Sequence, residues 1–317
     1  MNFEEFAEDL PKRHAQWFTT PAALEEAFKR LGVYQPTRQA KRGEFHAGLA
    51  HRAYPDCDLF SDRYSTDLSI YLESPTDEVG ILIPRSPSSH FIIDGINLGD
   101  DQLAVAPLGE GMSISGPGPI GSDCISMSPT RFNEMMEILC PTVRSSKGLT
   151  LVKAFAPELR TLGDLIVNLI GAPDVDLKGE RITNLLAWTV SLIGHASDHY
   201  LPESINGLKT HSRIAKDTRD YIETNFQIPI HMEELCKHTG VGVRTVQRCF
   251  REYFGYTITD YLKTVRLDSA YRELTGADSR ETNVTEVALS NGFTHLGRFS
   301  MTYRTRFGES PSDTLGL

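Results

Sequence analysis

The last hundred residues of this chain repeat themselves. Positions 53 apart carry like side chains: Val246 and Phe299, Phe250 and Tyr303, Arg251 and Arg304, Phe254 and Phe307, Gly255 and Gly308, Thr257 and Ser310. Upstream the offset is 52, pairing Leu235 with Val287, Cys236 with Ala288 and Gly240 with Gly292, so the one-residue difference falls inside a turn. A unit repeated at this length is one supersecondary motif used twice. In the first copy, residues 232–239 read as a short helix, Gly240 supplies the left-handed residue that ends it, and 243–254 form a longer helix with Val246, Phe250 and Phe254 inward. That is a helix-turn-helix over 232–254. The second, over 284–307, opens at Asn283-Val-Thr-Glu286 with a capping-box-like start, runs to Asn291, turns at Gly292 and continues as a helix from His295 to Phe307. Between the copies, 257–275 places Tyr261, Val265, Leu267, Ala270, Tyr271 and Leu274 at helical spacing, which predicts a linking helix of about 19 residues and roughly 28 Å.

The outer faces of the two longer helices suit base reading. The first carries Arg244, Gln247, Arg248 and Arg251, with Thr245 between them, and no acid occurs from Val241 to Arg251. Arginine pairs bidentately with guanine and glutamine with adenine in the major groove, each good pair giving about 1–3 kcal/mol of discrimination. The second has no acid from Val287 to Gly308 and turns His295, Arg298, Met301 and Thr302 toward the groove, with Arg304 further along; Arg298 is its strongest hydrogen-bonding group. Successive major-groove faces on one side of B-DNA lie about 34 Å apart, so a stiff connector of the predicted length suits two reading helices in adjacent grooves.

Charge at first argues the other way, because the chain carries a net −10 and binders of phosphate are usually basic. The distribution resolves this. Residues 211–317 hold 14 basic and 14 acidic side chains, so all ten excess negatives lie in the first 210 residues. The acids of the duplicated part fall in its supporting segments (Asp217, Asp220, Glu223, Glu233, Glu234, Asp278, Glu281), clear of the reading faces.

Ahead of the duplication, residues 37–127 alternate apolar and polar positions in short runs broken by Gly, Pro and Asp, such as Asp67-Leu-Ser-Ile-Tyr-Leu, Val79-Gly-Ile-Leu-Ile and His90-Phe-Ile-Ile-Asp, which predicts an antiparallel sheet or barrel. Residues 128–199 change to helical period. Phe155, Leu159, Leu162, Ile166 and Leu169 make one apolar seam, and Ile182, Leu186 and Ile193 begin another. Such seams either cover the open side of the sheet or form a homodimer contact, and the first is the candidate dimerisation seam. Residues 201–210 read as a linker between a sensing or dimerisation domain, 1–200, and a DNA-binding domain, 211–317. Five scattered cysteines without a C-x-x-C pair read as buried thiols in a reducing compartment; with no export signal and no membrane-length apolar run, a cytoplasmic protein is expected.

The duplicated region resembles the AraC/XylS family of bacterial transcription regulators over residues 213–314. Three strings carry the resemblance: Arg244-Thr-Val-Gln-Arg-Cys-Phe250, Tyr261-Leu-Lys-Thr-Val-Arg-Leu267, and Val287-Ala-Leu-Ser-Asn-Gly-Phe293 followed by Arg298-Phe and Phe307-Gly-Glu-Ser-Pro311. The likeness implies promoter DNA as partner, with base readers at Arg244, Gln247 and Arg248 in the first copy and at Leu296, Gly297, Arg298 and Met301 in the second. Gly242 stands where the family usually has a capping Ser, and Ile258 where it often has Pro. The second set is poorly suited to hydrogen bonding, so the first copy is expected to discriminate sequence and the second mainly to hold phosphate. The front of the chain is similar, more loosely, to the sensing domains of ethanolamine-operon-type regulators, which implies a homodimer, a possible small-molecule effector and an activator that touches RNA polymerase. The fold expected is thus α+β: a sheet-rich, cupin-like barrel with covering helices, then an all-α domain with two helix-turn-helix motifs.

A second reading is a cupin-type enzyme with an appended helical binding module. Its support is thin. His46, His51 and His90 are isolated rather than in a His-x-His strand motif, His195 and His199 share a helix face without the metalloprotease Glu between them, and Gly116-Pro-Gly-Pro-Ile-Gly121 lacks the Gly-Lys-Ser/Thr ending of a phosphate loop. No nucleophile, base and orienting acid can be assigned, and the expectation is a non-enzymatic chain with no cofactor and no metal.

Overall fold

The structure, a computed structural model, describes residues 3–316 except 40–43, 75, 86–90, 142–147, 174–178, 197–198, 201–204, 256, 276 and 279. The chain forms two compact units, Met1–Ile205 and Asn206–Leu317.

The first unit is layered. Its larger sheet has eight strands in the order β1 (Ala15–Phe18), β3 (Ala47–Ala53), β4 (Asp58–Tyr64), β11 (Ile120–Met127), β6 (Val79–Arg85), β9 (Gln102–Pro107), β12 (Thr150–Lys153) and β13 (His199–Tyr200). A smaller sheet has five, in the order β2 (Thr37–Gln39), β5 (Leu68–Leu72), β10 (Met112–Gly116), β7 (Phe91–Ile93) and β8 (Ile96–Leu98), and every ladder in both is antiparallel. Among the described residues no ladder joins the two sheets, so the expected cupin-like barrel is corrected to two separate sheets without a closed cylinder. Strand alternation explains how they stack. Leu49, Tyr64, Leu82, Ala104 and Leu151 point from the large sheet to a core shared with Ile70, Phe91, Ile93 and Ile114 of the small one. Residues of opposite phase, Ala50, Leu59, Ile81, Leu103, Ile125 and Val152, point the other way into a second core, capped by α3 (Pro129–Leu139), α4 (Ala156–Ile170) and α5 (Glu180–His195). The short α1 (Phe3–Ala7) and α2 (Pro21–Arg30) complete the unit, α1 in the second core and α2 in the first.

That second core settles where the α4 seam goes. Leu159, Leu162, Ile166 and Leu169 are 0–3% exposed and pack on the sheet, leaving only Phe155, at 68%, open to solvent. The expected dimerisation seam is therefore corrected: the apolar outer face of the sheet needs a cover, and four of its five residues supply it.

One charged cluster lies under α4. Asp123, fully buried, accepts from Ser61 Oγ at 2.5 Å, Arg63 Nη1 at 3.2 Å and Arg85 Nε at 2.5 Å, while Arg63 also reaches Asp9 and Arg85 reaches Asp164. Burial works against the Arg63 charge, but the Asp123 and Asp9 carboxylates outweigh it and hold that guanidinium above its ordinary pKa. Gly163 lets the helix come this close, since a Cβ there would run into Arg85 Nη2 and Asp123 Oδ2. Cys57, Cys140 and Cys249 are buried, whereas Cys124 and Cys236 are only half-buried, which departs from the expectation for all five; all are free thiols.

The second unit is helical: α6 (Ile205–Asn225), α7 (Met232–Thr239), α8 (Val243–Phe254), α9 (Ile258–Thr275), α10 (Val284–Ser290), α11 (Leu296–Phe307) and α12 (Pro311–Leu315). Helix α6 takes in residues 205–210, which the sequence reading gave to a linker; 201–204 lie outside the described residues. The linking helix α9 serves both copies. Its Tyr261 stacks on Phe254 and meets Phe250 edge-on, whereas Tyr271 stacks on Phe307 at 4.4 Å. Ten residues at 3.6 per turn leave those two rings about 80° apart around the axis, so α9 turns different faces inward at its two ends.

Candidate nucleic-acid interface

The repeated unit keeps the same backbone devices in both copies. Gly240 (φ 72°) and Gly292 (φ 78°) turn the chain out of the short helices, and Gly255 (φ 75°) and Gly308 (φ 80°) end the long ones. Left-handed backbone is nearly free for glycine and strained for other residues, which is why the repeat is spelled in glycine there. Gly292 meets a second demand, because a Cβ would come within 2.8 Å of Arg266 Nε. That guanidinium, on α9, donates to the Phe226 and Ile228 carbonyls at 2.6 and 2.8 Å and ties the end of α6 to the linking helix.

Each long helix is anchored by an aromatic ladder on its inner face. In α8, Val246, Phe250 and Phe254 are buried, with Phe250 and Phe254 ring centroids 4.8 Å apart. In α11, Phe299 and Tyr303 are buried at 5.4 Å, and Tyr303 packs on Phe307 at 4.6 Å. The inward assignment of these residues follows from i, i+4 spacing on one face.

The outer faces stand in solvent. On α8, Arg244, Gln247, Arg248 and Arg251 are all exposed and Thr245 is half-buried; among the described residues none of these arginines sits in an ion pair. Gly242 occupies the N-cap without a side-chain hydrogen bond, as its missing hydroxyl requires. On α11, Gly297, Arg298, Met301 and Arg304 are exposed, Met301 at 65%, and Leu296 joins them. His295 is exposed but is the N-cap rather than the first helical residue, and its side chain makes no cap bond. Thr302 is half-buried, and its hydroxyl donates to the Arg298 carbonyl at 2.8 Å, so it offers a groove chiefly its methyl group. Arg306 is held elsewhere, in a bidentate pair with Asp268 of α9 at 2.5 and 3.0 Å. Asn283 caps α10 through the Thr285 amide.

Sequence reasoning missed several ties that brace these helices. Tyr261 hydrogen-bonds Glu223, Asn291 bonds Glu273 at 2.7 Å, and Ser310 with Asp313 forms a capping box at the start of α12. Only the last had a local signal, in Ser310-Pro-Ser-Asp313. The Ser310 hydroxyl and amide hold the Asp313 carboxyl below the usual range.

Residues 235–316 match the family model of a helix-turn-helix domain. The chain is similar to the probable thc operon regulatory protein of Rhodococcus erythropolis, 38% identical over 96 residues that make up 30% of this chain and 29% of that protein. It is also similar to the XylDLEGF operon transcriptional activator 2 of Pseudomonas putida, 37% identical over 97 residues, 31% of this chain and 62% of the relative. The chain thus spans less than two thirds of the length of either. A solved structure of a probable AraC family transcriptional regulator from Rhodopseudomonas palustris is 40% identical over 33% of this chain and 96% of its own, with a TM-score of 0.31.

Proposed function

We propose, from the AraC/XylS-type helix-turn-helix domain that makes up the last third of the chain, that this protein is a sequence-specific transcriptional regulator that binds promoter DNA. One observation carries the reading: α8 buries an aromatic inner face completely while it holds Arg244, Gln247, Arg248 and Arg251 in solvent, in a stretch without an acid. Helix α11 supplies a second, weaker reading face through Arg298, Met301 and Arg304, with Gly297 leaving room for the DNA backbone. The two helices enter adjacent major grooves of one duplex, so a single chain spans what a dimer of single motifs would span.

Residues 1–200, which lie in the first unit, are the sensing and dimerisation domain in this reading. An effector that prefers one arrangement of the chain shifts the population competent for DNA by its differential affinity and no more. Activation by contact with RNA polymerase, a homodimer and a cytoplasmic location complete the proposal; the relatives described as activators favour that sign of regulation. No helix among the described residues is long and apolar enough to cross a membrane. The relatives are regulators rather than catalysts, which favours a non-enzymatic role without a cofactor.

The test is selection of genomic DNA fragments by the purified full chain at a stated salt concentration, followed by footprinting. The expected result is a shared motif protected on one side of the duplex over two segments about one helical turn apart, with affinity falling steeply as salt rises. Fragments without sequence enrichment would overturn the reading.

A further inference from the structure

The repeat sets the two reading faces against each other position by position. Adding 53 to Arg244, Gln247, Arg248 and Arg251 of α8 gives Gly297, Ser300, Met301 and Arg304 of α11. Offsets of 0, 3, 4 and 7 residues fall within about 100° around a helix axis, so each set forms one stripe. On α8 every position of the stripe carries a long hydrogen-bonding side chain. On α11 only Arg304 keeps one, while Arg298 answers to Thr245 and lies beside the stripe. The centre of the second stripe is therefore Met301, where the first has Arg248.

This apolar centre is not a shortfall of packing. Met301 is 65% exposed, whereas Phe299 and Tyr303 on the inner face are 1% and 0% exposed, so the thioether stays outside a core that is already complete. Its neighbours leave it room. Gly297, one turn earlier, has open space where a Cβ would be, Ser300 is short, and Thr302 spends its hydroxyl on the Arg298 carbonyl. From Val287 to Gly308 the chain has no acid, and Arg298 and Arg304 stand exposed on either side of Met301, a setting that suits a polyanion.

A methionine in the major groove can read one feature. Guanine, adenine and cytosine present hydrogen-bonding groups there, and a thioether set against them displaces water without replacing its hydrogen bond; thymine also presents its C5 methyl group. We propose that Met301 is a specificity-determining residue that recognises the 5-methyl group of a pyrimidine, thymine in ordinary DNA, in the half of the site met by α11. The inference rests on the reading of the chain as a promoter binder and names the base feature its second helix selects.

The test starts from the motif enriched by the full-length chain and replaces each protected thymine, one at a time, by deoxyuridine, which removes only the methyl group. Fluorescence anisotropy is expected to show a position at which the wild type binds about three-fold more weakly, roughly what burial of one methyl group contributes. At that position 5-methylcytosine should bind about three-fold more tightly than cytosine. Met301→Ala should bind the thymine duplex as the wild type binds the uracil one and lose nothing more on uracil, an equality that also shows the variant remains folded. Met301→Arg, which restores the side chain of α8, should drop thymine from that step of the enriched motif and favour guanine. Uracil tolerated at every position, uracil sensitivity that persists unchanged in Met301→Ala, or a motif that keeps its thymine in Met301→Arg would overturn the proposal and leave the DNA-binding reading in place. A chain that enriches no sequence sinks that reading and this inference together.

Discussion

The two reading helices share an interior and differ in what they present. Both copies pack rings inward at matching positions, buried Phe250 with buried Tyr303 and buried Phe254 with half-buried Phe307, and both use left-handed glycines at matching turns. Outside, α8 shows three arginines and a glutamine along one stripe, whereas α11 shows a glycine, a methionine and two arginines, with its threonine hydroxyl bonded back to its own helix. Packing constrains the inside, because a changed ring there leaves a cavity. Among the described residues none of the three α8 arginines is held in an ion pair, which in the proposed reading leaves that face free to follow the DNA.

The sharpest check on the shared interior is also the largest effect. Phe250→Ala and its counterpart Tyr303→Ala should each destabilise the helical unit by about 3–5 kcal/mol and by similar amounts, measured by urea denaturation followed by circular dichroism. A large inequality would break the equivalence of the two cores. The contrast on the outside comes next. Arg248→Ala should weaken specific binding by about 1–3 kcal/mol, roughly 5- to 150-fold, while Met301→Ala changes it by about three-fold or less in the same fluorescence anisotropy assay. Equal losses would contradict the division of labour.

The turns give a smaller contrast. Gly240→Ala meets open space and should lose about 1 kcal/mol to backbone strain, whereas Gly292→Ala also displaces Arg266 and should lose about 2 kcal/mol, read as midpoint shifts in the same denaturation. Smallest are the caps. His295→Ser should stabilise α11 by about 1 kcal/mol, because it adds a side-chain acceptor where none bonds now, and Gly242→Ser should stabilise α8 by only a few tenths. A larger gain at Gly242 would reverse the predicted order.

Local signals made the second unit legible. The glycines at 240 and 292 and the i, i+4 aromatics fix helix ends and inner faces without reference to distant residues, and the second reading helix differs from its expected start by a single residue, His295. The first unit was legible only in part. Strands β2 to β11 lie inside 37–127, where alternation announces them, but β1, β12 and β13 are four residues or fewer and come from other parts of the chain. The seam of α4 showed which residues go inward and not what they meet: a sheet of the same chain and a second copy ask for the same spacing. The Asp123 cluster had one faint mark, Arg63 in phase with buried Leu59 and Ser61 on β4. Asp62, one residue away, falls on the other face, between the sheets, which no local pattern distinguishes from an ordinary solvent-facing acid.

Because Tyr261 and Tyr271 seat the same helix in both aromatic cores, α9 acts as a ruler with fixed length and fixed phase. Adding one residue to it would advance one motif by about 1.5 Å and rotate it by about 100° against the other. In the proposed reading the duplex inherits that rigidity: a single base pair inserted between the two halves of the site moves the second half round the helix and out of register with the protein.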